Sequence, residues 1–130
     1  MKKLLPALFI ATVTAMTAIL PTGALAATTT GQFTGANNHV TTGGVAVVKT
    51  ADGGAVVILD SDFNLDGAPD PHVGFGRDGT FDVATDLGKL AAATGLQVFV
   101  VPASVDVDDY NEIYIWCLEF SVSLGAASLN

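Results

Sequence analysis

The chain has 130 residues, enough for one domain, and half of them are apolar, so it can bury a core and need not be disordered. It carries 13 Asp and Glu against five Lys and Arg, a formal net charge of −8. Such a surface repels nucleic acid and anionic lipid, which excludes both as expected partners. The single cysteine excludes an internal disulfide.

The first 26 residues have the pattern of a secretory signal peptide. Met1-Lys2-Lys3 gives a charged start, residues 4–20 are apolar, and Ala24-Leu25-Ala26 is a small-residue cleavage site. We expect cleavage after Ala26, export to the periplasm, medium or cell surface, and no membrane span in residues 27–130. The mature chain would keep three cations against all 13 carboxylates, a net charge of −10. An uncleaved membrane anchor is the alternative.

Residues 27–130 contain many short strand patterns separated by turn residues, and no helix pattern of normal length. In chain order the strands are predicted at residues 31–35, 45–50, 55–60, 72–75, 80–83, 95–101 and 113–124. The Asp-Gly-Gly run at residues 52–54 predicts a hairpin turn. Residues 86–93 fit one helical turn or an extended segment. The sequence therefore predicts an all-β domain, a single antiparallel β-sandwich or barrel-like fold.

The strongest strand pattern covers residues 113–124. Its even positions are apolar throughout, whereas its odd positions are apolar up to Cys117 and polar beyond it. We therefore expect one strand that is covered on both faces in its first half and open to water on one face in its second half. Trp116 and Phe120 are predicted to lie in the core.

Four segments occur in the order found in a known family. They are residues 33–44 with Phe33, His39 and Gly43-Gly44, residues 59–71 with Asp62-Phe63-Asn64-Leu65-Asp66-Gly67, residues 95–102 ending at Pro102, and residues 110–122 with Ile115-Trp116-Cys117. Together they resemble the DM13 family, also called the electron-transfer DM13 domain. The resemblance spans roughly residues 30–129 and implies an extracytoplasmic β-rich domain.

The resemblance implies a redox role for Cys117, as a bare thiol or as a ligand to a prosthetic group such as haem. A separate electron-transfer protein is then the expected partner. His39 matches a family position and is the first candidate for a second haem ligand, ahead of His72. The alternative for each histidine is a loop side chain that bonds to the backbone.

A second class of function remains open, a non-catalytic adhesion or ligand-binding β module. In that case Cys117 would be a small apolar side chain in the core, which is the usual state of a lone cysteine in a buried strand. The chain has no nucleophile elbow and no zinc-protease motif. A carrier or binding module is therefore favoured over an enzyme.

An acidic stretch also fits the opening of a calcium-binding loop. Asp62, Asn64 and Asp66 place oxygen ligands at alternate positions, a glycine follows, and Asp70 stands at the ninth position. The twelfth position, which normally supplies a bidentate carboxylate, is Val73. The alternative is a structural turn rich in aspartate.

Overall fold

The computed structural model describes residues 3, 15, 17–19 and 27–130, so the predicted signal peptide lies almost wholly outside the described residues. Its cleavage stays a prediction. The described strands are β1 (Thr28–Gly35), β2 (Thr41–Thr42), β3 (Gly44–Lys49), β4 (Ala55–Leu59), β5 (Asn64–Leu65), β6 (Pro71–Arg77), β7 (Thr80–Phe81), β8 (Gln97–Val101), β9 (Glu112–Cys117) and β10 (Val122–Ser128). Two short 3₁₀ helices cover Val83–Thr85 and Val107–Asp109. Within the described part of the chain, no helix is long and apolar enough to cross a membrane.

Eight strands form one antiparallel sheet in the order β7-β6-β9-β10-β1-β3-β4-β8. Strand β1 joins the two halves of this sheet, because residues 28–32 pair with β3 and residues 33–35 pair with β10. The sheet curls into a half-barrel, and within the described residues its end strands β7 and β8 do not pair with each other. The prediction of an all-β, antiparallel, barrel-like domain is confirmed.

The inner face of the curled sheet holds the core. Successive residues of a strand point to opposite faces, so the odd-numbered residues of β3, β4, β6 and β9 share this face. Burial of their apolar side chains is the main stabilising contribution to the fold. The cluster draws on both halves of the sheet and includes Val45, Val47, Val57, Leu59, Phe63, Val73, Phe75, Ile113, Ile115, Cys117 and Leu124.

The segment predicted as one long strand is a hairpin. Strand β9 ends at Cys117, residues 118–121 turn, and β10 runs back antiparallel to β9. Ser121 takes the turn with a φ of 51°, a left-handed value. The prediction failed because the turn carries apolar residues at the alternation expected of a strand. Phe120 lies on this turn with 65% of its surface exposed, so its predicted place in the core is wrong.

Trp116 is also displaced from its predicted place. It lies half-buried on the outer face of β9, whereas its neighbours in the chain, Ile115 and Cys117, face the core. Residues 86–93 are irregular and not helical, and Lys89 makes an isolated bridge to His72 of β6. This segment therefore lies against β6, which positions Asp86 beside His72.

Candidate functional site

Cys117 is the last residue of β9, in an interior strand of the sheet. Its Cα is opposite Pro71 of β6 and Val122 of β10. Its side chain is buried in the core cluster with Ile113 and Ile115. Neither a solute nor a redox protein can touch the sulfur while this end of the strand stays packed.

This packing does not fit haem at Cys117. A haem-ligating sulfur must face a pocket large enough for the macrocycle, on the order of several hundred Å³. Cys117 instead has paired strands on both sides and packed core side chains around it. Haem ligation would require the described core to open.

His39, the predicted second ligand, is held at the surface. Its Nδ1 lies 3.0 Å from Oδ1 of Asp66, and Oδ2 of Asp66 accepts the backbone N–H of Val40 at 3.0 Å. The hydrogen bond from Val40, followed by that from His39, lowers the pKa of the Asp66 carboxyl. Because the ring is bound to Asp66 and Cys117 faces the core, the structure does not bring the two proposed ligands together.

Three of the four predicted calcium ligands, Asp62, Asp66 and Asp70, form side-chain hydrogen bonds within the chain. Asp62 accepts a backbone N–H at the start of β3 at 3.0 Å, Asp66 is bound as just described, and Asp70 lies 3.0 Å from His72. Asn64 is part of the short strand β5. Among the described residues, no group of three or more His, Cys, Asp and Glu is arranged to hold a metal ion. Calcium binding stays a prediction, and it would require these hydrogen bonds to be exchanged for metal contacts.

The sequence did not single out a cluster around His72, which we call the His72 clamp (His72, Asp70, Asp86 and Lys89). Nδ1 of His72 lies 2.9 Å from Asp86 and Nε2 lies 3.0 Å from Asp70, with the side chain 14% exposed. Only a ring that carries both protons can donate from both nitrogens. Burial raises the pKa of the Asp70 carboxyl, but hydrogen bonding and charge from His72, with the charge of Lys89, lower it overall.

An aromatic cluster of Phe81, Tyr114 and Trp116 covers the outer face of β6 and β9. Phe81 stacks on Trp116 with ring centroids 4.6 Å apart and an interplanar angle of 21°. Tyr114 lies 5.8 Å from Phe81 and 6.4 Å from Trp116, edge-on to the latter. Trp116 is opposite His72 in the register of β6 and β9, so the clamp and the cluster are neighbours. The indole and the Cys117 sulfur therefore lie on opposite faces of one strand.

Two glycines of β6 make room for these rings. A Cβ added at Gly74 would lie 2.7 Å from Cε2 of Phe81, and one added at Gly76 would lie 2.3 Å from Cε2 of Tyr114. Both distances are shorter than a carbon–carbon contact allows. The rings thus lie directly on the backbone of β6, and the close fit depends on the absence of side chains there.

The fold and the site define a small all-β domain with one thiol buried in a half-barrel and an aromatic cluster on the opposite face of the same strand. Residues 32–129 match the sequence model of the family described as Electron transfer DM13, and the chain belongs to that family. The resemblance drawn from the sequence is confirmed, and membership indicates an electron-transfer-related domain. No curated protein and no solved structure matches the chain.

Proposed function

We propose that this domain is exported and exchanges electrons with a separate redox protein through Cys117. The observation that carries the proposal is the family match over residues 32–129, which include the only cysteine of the chain. The pattern of residues 1–26 supports export. A thiol in an oxidising compartment is open to redox chemistry whenever it can be reached.

The chemistry that a lone thiol supplies is reversible oxidation to the sulfenic acid. The thiol and one water give the sulfenic acid, two electrons pass to the oxidised partner protein, and two protons pass to solvent. The reverse step consumes the same electrons and protons and restores the thiol and water. Water must reach the sulfur, so the step requires the turn at residues 118–121 to open. That turn is tied to the loop before β6 by the backbone N–H of Leu118, which donates to Asp70 at 3.1 Å.

The test is oxidation of the native protein by a soluble electron acceptor, with dimedone to trap the sulfenic acid and intact mass to detect it. We expect one adduct at Cys117 under native conditions and none in Cys117→Ala, whose fold is checked by circular dichroism. Addition of a reductant before dimedone should abolish the adduct. A thiol that resists both oxidation and alkylation until the protein is unfolded would overturn the proposal.

One observation favours the second candidate function, a non-catalytic adhesion or ligand-binding module. Half of the sheet presents an outer apolar face, formed by the outward residues of β3, β4 and β8: Ala46, Val48, Val56, Ile58, Val98 and Val100. Val98 and Val100 are 58% and 75% exposed. Exposed apolar surface of this kind is typical of interaction sites. An inert Cys117 in the oxidation test would leave this function as the better proposal.

A further inference from the structure

The two edges of the sheet differ in how they are protected against pairing with another strand. At one edge β7 is only two residues long and lies among Arg77, Asp78 and Asp82. At the other edge β8 runs for five residues with no charge, no proline and no break in its register with β4. Short or charged edges resist further pairing, whereas long apolar edges invite it.

The backbone of β8 pairs on one side only. Its ladder runs to β4, and among the described residues no other strand pairs with it. In an antiparallel ladder every second residue of an edge strand directs its N–H and C=O away from its neighbour. The side of β8 away from β4 therefore offers a row of hydrogen-bonding groups beside exposed apolar side chains.

We propose that β8 pairs antiparallel with β8 of a second copy of this chain, so that two half-barrels join edge to edge. The strand is self-complementary about Phe99. In a pair centred there, Val98 lies opposite Val100 of the second copy, and each Phe99 lies opposite the other. The proposal does not depend on the redox role of Cys117.

Charge favours a second copy over a basic partner protein. A basic partner would gain from meeting carboxylates, and residues 97–101 contain none. Each copy has a net charge of −8, but an edge that carries no charge lets two acidic chains meet without opposing carboxylates directly. Each copy has one such edge, so the pairing closes as a two-fold dimer.

The size of the contact sets the expected affinity. A pair of five-residue strands covers less than the roughly 800 Å² per partner of a standard stable interface. We therefore expect a reversible dimer with a Kd on the order of 10–100 μM.

Sedimentation equilibrium between about 1 μM and 1 mM tests the proposal, a range that brackets the expected Kd. The wild-type chain should fit a monomer–dimer equilibrium, and Val100→Lys should weaken dimerisation at least about tenfold, because two-fold symmetry introduces the charge twice. Val83→Lys is the matched control, since Val83 is 61% exposed but lies on a 3₁₀ helix outside the sheet. A wild-type chain that stays monomeric, or equal effects of the two lysines, would overturn the proposal.

Disulfide trapping tests the register. Val98→Cys mixed with Val100→Cys should cross-link into a mixed dimer under mild oxidation, because these positions face each other across the two-fold axis. Each variant alone should cross-link far less, and the parent protein with only the buried Cys117 sets the background. Equal cross-linking in all mixtures, or growth into higher oligomers, would contradict a closed β8–β8 pair.

Discussion

The two halves of the sheet bury a common inner face but differ on the outside. Beside β6, the chain from β7 to Leu90 pairs with the free edge of that strand, places the ring of Phe81 on Trp116 across the outer face and ties Asp86 to His72. Over β3, β4 and β8 the outer apolar face, including Val98 and Val100, stays exposed in the described structure. On the half formed by β6 and β9, side chains of the same chain cover the outer face. On the half formed by β3, β4 and β8, the outer apolar face is exposed to solvent in the described structure.

This difference shows what an apolar pattern on both faces of a strand means. In an isolated antiparallel sheet one face packs on the core and the other meets water, so the second face is normally polar. Where the second face is apolar, something covers it or it is a site of interaction. For Trp116 the cover lies within the chain, whereas for Val100 we propose an interaction in which Val98 of a second copy lies beside it on the same face of the joined sheet.

The largest expected difference between the two outer faces is in single substitutions. Trp116→Ala should reduce the free energy of unfolding by about 2–3 kcal/mol, less than the roughly 3–5 of a fully buried aromatic, because the ring is half-buried and stacked on Phe81. Val100→Ala, on the outer apolar face, should change it by no more than about 0.5 kcal/mol when measured below 1 μM, where the monomer dominates. Urea unfolding measures both.

Phe120→Ala is the control for the hairpin. The ring is exposed on the turn between β9 and β10, so its loss should also stay within about 0.5 kcal/mol. A cost for Phe120 equal to that for Trp116 would mean that the two rings share a core, as the sequence alone predicts. A cost for Val100 equal to that for Trp116 would erase the contrast between the two faces.

The strands and the fold class could be predicted because alternation reports which side chains face inward. Val45 and Val47, or Val57 and Leu59, alternate with residues of the other face and bind their strands to one core. The Asp-Gly-Gly turn could be predicted equally well, because a tight turn needs a positive φ and Gly53 takes one of 85°. Local chemistry was sufficient for these elements.

The hairpin after β9 and the His72 clamp could not be predicted for a different reason. Leu118 and Phe120 continue the alternation through the turn, and a serine, not a glycine, takes its left-handed position. The clamp joins His72 to Asp86, 14 residues away, and exists only because residues 87–90 return along the edge of β6. Cys117 could be identified as the candidate thiol, and the apolar pattern of its strand already offered the burial in the core that the structure shows.

A smaller effect is expected where the aromatic cluster touches β6. Gly74→Ala places a Cβ 2.7 Å from Cε2 of Phe81, so the ring must shift off the strand and off Trp116. Overpacking of this kind costs about 1–3 kcal/mol. Urea unfolding of Gly74→Ala, Phe81→Ala and the double variant forms a cycle in which the double variant should lose less than the sum of the single losses. Strict additivity would show that Phe81 does not lie on Gly74.

The smallest expected effect is on how stability depends on pH. It reports on the His72 clamp and not on the aromatic cluster, because the clamp contains the carboxylates. The pKa of Asp70 is lowered in the folded protein, so its contribution is present above the ordinary value of 3.8 and is lost as the pH falls through the lower folded value. Asp70→Asn should therefore flatten the decline of the melting temperature below about pH 4. Glu119→Gln, on the exposed turn, is the matched control and should leave the decline unchanged. An Asp70→Asn variant whose melting temperature falls as steeply in acid as that of the wild type would show that the contacts of the Asp70 carboxylate with His72 and Lys89 do not stabilise the fold.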